Sequence, residues 1–410
     1  MPTDRLHAAL STELDEIAAR GSSKRRETVI VRVLAPEGAR GPRFLILGEG
    51  EKPFIKMNGN SYLGISRRPE LLHAEEGAAR AFGAGPGAVR FISGTYAPHV
   101  VLEKRLAEFH GREAAMIFSA AYASVVSTLV PLVTSDTALI SDELNHNCII
   151  NAMRLARPKE KYVYKHLDLA ELEQQLEAAA AAGCKRAVVV TDGIFSMRGD
   201  HAPLDKIAEI VRRFDGRFAE NAILVVDDSH GVGAFGKTGR GTEEYTESGP
   251  ADVLIATLGK ALGVNGGYVV GSRILLDYLR ETAPMYIYSN PITPSEAAAA
   301  TAALDILDSA EGIRLLDHLR AMTRRFEQGL VDLGLETIPG EHPVVPLMVR
   351  DTAKTNALVA HLRAHGVLAT GLAFPVVPRG DEEIRFQVSA EHTEADIDEV
   401  LAALRGFSSK

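Results

Sequence analysis

An α/β fold is the architecture this sequence predicts: a mostly parallel sheet covered on both faces, followed by a smaller α+β unit. Two observations carry that expectation. Between about residues 61 and 290, short apolar runs alternate with segments of helical periodicity, the pattern of parallel strands joined by crossover helices. After Pro294 the alternation gives way to a long Ala-rich helical stretch, Ser295 to Leu333, the natural connector to a second unit.

The elements follow in order. Residues 1–60 read as an N-terminal arm, with a helix from Asp4 to Arg20, then Ser22-Ser23-Lys24-Arg25-Arg26. Short strands come next, broken at Pro36-Glu37-Gly38 and Gly48-Glu49-Gly50. Residues 61–293 form the large α/β domain. Its seven expected strands are Ala115–Phe118, Ala138–Ser141, Tyr162–Tyr164, Ala187–Thr191, Ile223–Asp227, Asp252–Ala256 and Gly267–Val270, with helices such as Asp168–Ala182 and Asp205–Asp215 between some of them. Residues 294–410 form the C-terminal small α+β domain. It comprises Val344–Val349, a helix from Thr352 to His365, Ala369–Thr370, Ile384–Val388 and a closing helix from Thr393.

Bulk properties narrow the function. With 410 residues, 46% hydrophobic and 24% charged, the chain buries a large core as an ordinary globular protein does. A formal charge of −9 argues against a nucleic-acid partner, though local basic residues can still hold an anionic substrate. The two cysteines, Cys148 and Cys184, lie in no metal-ligand spacing, so no zinc site or disulfide framework is expected. No signal peptide is visible, and a reduced, cytoplasmic setting is the simplest reading. The run Ala114 to Ser135 has 22 uncharged residues, long enough by count to span a bilayer. Its six hydroxyl residues and Pro131 favour instead a strand turning into a buried helix, so no membrane span is expected.

The chemistry concentrates at strand ends. Ile223 to Val226 is an apolar run ending in Asp227-Asp228-Ser229-His230, and Thr257-Leu258-Gly259-Lys260 follows another apolar strand. Any one of these residues alone suits a core salt bridge, a helix cap or a surface lysine. Together they supply an acid, an imidazole and an amine to one site, which is what pyridoxal phosphate requires. The lysine forms a Schiff base, the carboxylate keeps the pyridine nitrogen protonated, and the imidazole sits beside the ring.

Gly231-Val-Gly-Ala-Phe-Gly236 matches GxGxxG after a strand, but the dinucleotide fingerprint must open a helix. Lys237-Thr-Gly-Arg-Gly-Thr242 holds too many glycines for that, so the segment reads as a mobile loop beside the site. At Ser119-Ala120-Ala121-Tyr122 a strand gives way to a helix, and the Ala121 and Tyr122 amides are candidates to hold a phosphate, or simply form a tight turn. His146, just after a strand, either stacks on a cofactor ring or caps the next helix. Arg385, between Ile384 and Phe386, either grips a substrate carboxylate or pairs with a surface acid.

In this order these segments resemble the α-oxoamine synthase family of pyridoxal-phosphate enzymes nearly end to end. The pieces that carry the likeness are Asn60-Ser-Tyr-Leu-Gly64, Arg90-Phe-Ile-Ser-Gly-Thr95 with His99 and Glu103, Asp142 to His146, and Thr191-Asp-Gly-Ile-Phe-Ser-Met197. Val226 to Gly231, Thr257 to Gly263, Ser289-Asn290 and Pro375-Val-Val-Pro-Arg379 complete it. The glycine C-acetyltransferase branch (2-amino-3-ketobutyrate CoA ligase) is similar in wording. Two further readings stay open: 8-amino-7-oxononanoate synthase-like or longer-chain chemistry, and, more remotely, a pyridoxal-phosphate aminotransferase.

The resemblance implies a fold-type I pyridoxal-phosphate transferase, aminotransferase-like, working as a homodimer with active sites at the interface. It implies condensation of a small amino acid, glycine favoured, with an acyl-CoA. Carried over, Lys260 is the Schiff-base lysine, Asp227 pairs with the pyridinium, His230 contacts the ring oxygen and His146 stacks on the ring. Ser196 and Thr257 add hydrogen bonds, while Ser289 and Asn290 reach the phosphate of the neighbouring subunit. Asn60 and Arg385 hold the amino-acid carboxylate, with His146 beside the substrate. Lys24, Arg25 and Arg26 are candidates for the anionic part of CoA. Leu372 and Ala373 stand where the branch is often aromatic near the acyl site, a change that would admit a longer chain.

Overall fold

The computed structural model describes residues 3–19, 23, 27–374 and 376–408. Its central feature is a seven-stranded sheet. In chain order the strands are β1 (Ala114–Phe118), β2 (Thr137–Asp142), β3 (Glu160–Tyr164), β4 (Arg186–Asp192), β5 (Ala222–Asp227), β6 (Val253–Thr257) and β7 (Gly267–Gly271). In space they run β1-β7-β6-β5-β4-β2-β3. Only β7 runs antiparallel to its neighbours. All seven expected strands are present, within a residue or two of the expected bounds.

Helices on both faces explain why the inner strands read as unbroken apolar runs. Successive residues of one strand enter opposite cores. Val189 joins the core that includes Leu204 and Phe386, while Val188 and Val190 join the one that includes Val125 and Leu279. The uncharged run from Ala114 becomes β1 and the buried helix Ala121–Leu132. Among the described residues no helix is long and apolar enough to cross a membrane.

The direction of the strands positions the site. Because β2, β4, β5 and β6 are parallel, their last residues, Asp142, Asp192, Asp227 and Thr257, gather at one edge of the sheet. In a sheet of this kind ligands bind outside that carboxyl edge.

The long helical stretch after Pro294 is two helices, not one. Pro294–Leu307 opens with a capping box between Thr293 and Glu296. It ends at Asp308, and Ala310–Asp332 begins behind Ser309, whose hydroxyl accepts from the Glu311 and Gly312 amides. No proline or glycine marks the break, which is made by side-chain capping alone.

The C-terminal unit is built on a three-stranded antiparallel sheet in the order Val344–Met348, Glu383–Gln387, Thr370–Leu372. The N-terminal segment is stitched into it. Ile55–Lys56 pairs parallel with Val367–Leu368. Arg43 forms a buried ion pair with Asp396 at 2.7 Å. The first helix, Asp4–Ala19, contributes no buried residue.

Candidate active site

At the carboxyl edge of the sheet lies a cavity of about 190 Å³. Its walls bring together eight of the residues singled out in the sequence: Ala121, Tyr122, His146, Ser196, Asp227, His230, Thr257 and Lys260.

Lys260 is carried by the turn after β6. The Thr257 hydroxyl shapes that turn, accepting from the Gly259 amide at 3.0 Å and donating to the Gly266 carbonyl at 3.1 Å. Among the described residues no carboxylate closes on the Lys260 amine within ion-pair distance. Burial drives its pKa down to about 8, although Asp227 and Asp192 pull the other way. At that pKa roughly a tenth of the amine is unprotonated at neutral pH, far more than for an ordinary lysine, and that fraction can act as a base or nucleophile.

Asp227 is fixed from behind. Its Oδ1 accepts from the Ser229 hydroxyl at 2.6 Å and the Ser229 amide at 3.1 Å. Its Oδ2 lies 3.7 Å from the Cys148 sulfur, which lies 2.9 Å from His146 Nδ1. Burial and the neighbouring Asp227 carboxylate hold Asp192 protonated well above the usual carboxylate range. Its Oδ2 accepts from the His146 amide at 2.9 Å, and its own amide donates to Asn145 Oδ1 at 2.8 Å. Asn145 thus ties the loop after β2 to the end of β4 and sets where His146 begins its helix.

His230 is buried, with Nδ1 2.7 Å from the Tyr62 hydroxyl. Burial holds its imidazole neutral, and the cations Lys260 and Arg385 add to the effect. Opposite, the helix Ala121–Leu132 starts at Ala120 with no side-chain cap. Its first amides therefore face the cavity unclaimed, an anion site by geometry. Gly267 allows that approach, since a Cβ there would lie 2.4 Å from the Ala121 nitrogen.

Asn60 and Arg385 stand just outside the cavity wall. Arg385 Nη1 donates to the Ser196 carbonyl at 2.9 Å. Gln387 lies between the two, 3.2 Å from Asn60 Oδ1 and, with its oxygen turned to the guanidinium, 2.8 Å from Arg385 Nε. Ser289 and Asn290 follow the helix Pro284–Ile287 and are not brought to this cavity by their own chain. Lys24, Arg25 and Arg26 lie outside the described residues, as does Pro375. Leu372 and Ala373 lie outside the cavity wall.

Four lining residues, Cys148, Asp192, Ile194 and Ser229, carried no site role in the sequence reading. Asp192 had a signal: like Asp227, it ends an apolar strand. Cys148 had none.

One expectation needs correcting. The segment Gly231 to Gly236 is buried throughout rather than a mobile loop. The carboxyl of Asp228 pins it, accepting from the Thr242 hydroxyl at 2.7 Å and the Thr242 amide at 2.6 Å. A Cβ at Gly231 or Gly241 would meet that carboxyl at 2.1 or 2.0 Å, so these glycines serve close packing.

An unpaired, half-buried amine, a braced carboxylate and an uncapped helix N-terminus meet at the carboxyl edge of a sheet ordered this way. They fit the aldehyde, ring nitrogen and phosphate of pyridoxal phosphate, and define a fold-type I pyridoxal-phosphate enzyme.

Comparison with known proteins narrows the class. Residues 52–404 match the family model "Aminotransferase class I and II". The chain is 36% identical over 375 residues to 8-amino-7-oxononanoate synthase of Petrotoga mobilis, covering 91% of this chain and 92% of that one. It is also 36% identical over 403 residues to the mitochondrial 2-amino-3-ketobutyrate coenzyme A ligase of Bos taurus, covering 97% and 91%. Among solved structures, the Sphingomonas wittichii serine palmitoyltransferase superposes with a TM-score of 0.87 at 26% identity, covering 99% of this chain and 97% of that one. The chain belongs to the α-oxoamine synthase family of pyridoxal-phosphate-dependent acyltransferases.

Proposed function

We propose that the protein condenses glycine, or another small amino acid, with an acyl-CoA, releasing CoA and giving an α-amino-β-keto acid or, after loss of CO2, an α-oxoamine. The observation that carries this reading is Lys260, an unpaired amine with its pKa lowered to about 8 and Asp227 on the same cavity wall. The likeness to a 2-amino-3-ketobutyrate coenzyme A ligase and to 8-amino-7-oxononanoate synthases supports C–C bond formation over amino-group exchange. A cavity of about 190 Å³ that would also have to receive the cofactor favours an amino acid with little side chain.

Bound here, pyridoxal phosphate supplies an electron sink for the carbanion formed at the amino acid's α-carbon. The remaining work falls to the chain. Lys260 Nζ takes the α-proton. Asp227, braced by Ser229, holds a proton on the ring nitrogen. His230 presents its Nε2 to the ring oxygen, because Nδ1 is engaged by Tyr62. His146, on the cavity wall, would stack on the ring and lie beside the substrate. The Ala121 and Tyr122 amides hold the phosphate, with Ser196 and Thr257 adding hydrogen bonds. Arg385 and Asn60 hold the amino-acid carboxylate in a bidentate grip.

The working unit in this proposal is a homodimer, with Ser289 and Asn290 serving the partner's site. An apolar patch supports it. Phe91 is 68% exposed and Tyr288 is 79% exposed, on segments packed beside one another. A soluble, cytoplasmic enzyme is the setting proposed.

The purified protein should be yellow, and borohydride should fix the cofactor to the peptide containing Lys260. Glycine with an acyl-CoA should release free thiol, and Lys260→Ala should abolish both signals. Amino-group exchange with keto acids and no thiol release would favour an aminotransferase instead. A colourless Lys260→Ala protein that still released CoA would overturn the mechanism.

A further inference from the structure

Beside the reaction cavity lies a second one of about 240 Å³. The two share Ser196, whose carbonyl holds Arg385, so the second opens where the amino-acid carboxylate is proposed to bind. Its wall is largely apolar, with Leu144, Ile150, Phe195, Met197, Met348 and Val377. Of its charged lining residues, Glu143, Arg198, Asp381 and Glu383, one is almost fully buried. Glu383, on the same strand as Arg385 and two residues before it, is 2% exposed and lines this cavity. Its Oε1 is buried and has no hydrogen-bond partner.

An unpartnered carboxyl in an apolar wall is costly, and its presence asks for a use. Two cations, Arg385 and Arg198, act on Glu383 and, against its burial, lower its pKa, but both are already engaged. Arg198 pairs with Asp200 at 3.1 Å. Arg385 is engaged by Ser196 and Gln387 and, in the reading above, by the amino-acid carboxylate. Asp381, also on this wall, adds negative charge, and burial raises the Glu383 pKa to about 8. A carboxylate entering here would meet either a like charge or a carboxyl able to share only one proton, with water excluded. An uncharged chain end meets neither penalty, and the volume exceeds what an acetyl group fills.

We propose that this second cavity receives the acyl group of the thioester and that Glu383 is a specificity-determining residue, admitting chains of several carbons with an uncharged end and rejecting ω-carboxylated ones. The inference rests on the acyl-CoA reading above and narrows its substrate class.

The holoenzyme, with glycine, is tested against acetyl-, butyryl-, hexanoyl- and octanoyl-CoA, and against adipoyl-CoA as the ω-carboxylated counterpart of hexanoyl-CoA. Thiol release should give a kcat/KM for hexanoyl-CoA roughly 100-fold or more above that for adipoyl-CoA. In Glu383→Gln the ratio should fall at least about tenfold. Met197→Trp, which fills the cavity, should lower the hexanoyl-to-acetyl ratio by a similar factor. Equal use of hexanoyl- and adipoyl-CoA by the unaltered enzyme would overturn the proposal even if the variants failed to fold. So would a hexanoyl-to-acetyl ratio untouched by Met197→Trp. Failure to release thiol from any acyl-CoA would instead overturn the function proposed above.

Discussion

The hydroxyl of Tyr62 lies 2.7 Å from Nδ1 of His230, and both groups are buried. Burial raises the phenol pKa and lowers that of the imidazole, so each stays neutral. The phenol, the stronger acid of the two, is the donor. That leaves the imidazole proton on Nε2, the nitrogen proposed to face the cofactor. Tyr62→Phe should remove the orienting bond and leave Nδ1 buried without a partner, costing about 1–3 kcal/mol of stability. We expect kcat/KM to fall roughly tenfold, with bound cofactor retained. Steady-state thiol release and denaturant unfolding of the same variant check both effects, and unchanged turnover would refute the orienting role.

Asn145 is the hinge between two strand ends. Its amide nitrogen donates to the Ser141 hydroxyl at 2.8 Å and the Val190 carbonyl at 2.9 Å, and its oxygen accepts from the Asp192 amide at 2.8 Å. Asn145→Ala would strand the Val190 carbonyl and the Asp192 amide in the interior. A loss of about 2–4 kcal/mol follows from two buried unpaired backbone groups. Because Asp192 also holds the His146 amide, turnover should fall even below the unfolding temperature. Circular dichroism melting together with activity at 20 °C would show whether stability and geometry fail together.

How much of this was legible in the sequence follows from which interactions are local. The inner strands of the sheet declared themselves because both their faces are buried, which leaves an apolar run such as Ile223 to Val226, whereas the edge strand Glu160–Tyr164 is largely open to solvent. Lys260, Asp227 and His230 sit at the ends of such runs, and so were visible. Cys148 was not, because its place beside Asp227 depends on a helix packing across the sheet. The buried state of Gly231 to Gly236 was equally hidden, since the Asp228 carboxyl that holds it reaches Thr242 through space. The break at Asp308-Ser309 did have a signal in its capping serine, outweighed by the Ala-rich periodicity around it.

His166 carries a pH dependence that can be measured. It bridges Asp142 and Asp200, each at 3.1 Å, and packs edge-on against Phe195. Burial opposes its charge, but the two carboxylates prevail and raise its pKa from the usual 6.5 to about 9. Its folded pKa lies above its unfolded value, so the stabilisation is fully present below about pH 6.5 and is lost as pH rises through about 9. The shift corresponds to roughly 3 kcal/mol at most. Urea unfolding at pH 6, 7.5 and 9.5 should show that decline in the unaltered protein, whereas His166→Asn should be less stable at pH 6 and lack the decline attributable to this group. Parallel pH profiles for the two proteins would sink the assignment.

A buried ion pair helps seat the N-terminal segment on the C-terminal unit, beside the strand pairing of Ile55–Lys56. Arg43 Nη2 meets Asp396 Oδ1 at 2.7 Å, and Asp396 Oδ2 accepts from the Gly41 and Thr393 amides, each at 2.9 Å. The Asp396 side chain is 1% exposed, so it cannot recover solvation if its cation is removed. Gly41 is required at this junction, because a Cβ there would lie 2.3 Å from the Glu391 carbonyl. Arg43→Met keeps most of the side-chain volume but leaves the carboxylate unpaired, and we expect a loss of about 3–5 kcal/mol. The double variant Arg43→Met with Asp396→Leu should recover only part of it, since it removes the buried unpaired charge but leaves the Gly41 and Thr393 amides without their acceptor. The same segment leads into Ile55–Lys56 and then Asn60, so the single variant should also raise the KM for the amino acid. Denaturant unfolding of the four proteins in this cycle gives the pair's coupling energy, and a single variant within about 0.5 kcal/mol of the unaltered protein would show that the pair does not seat the segment.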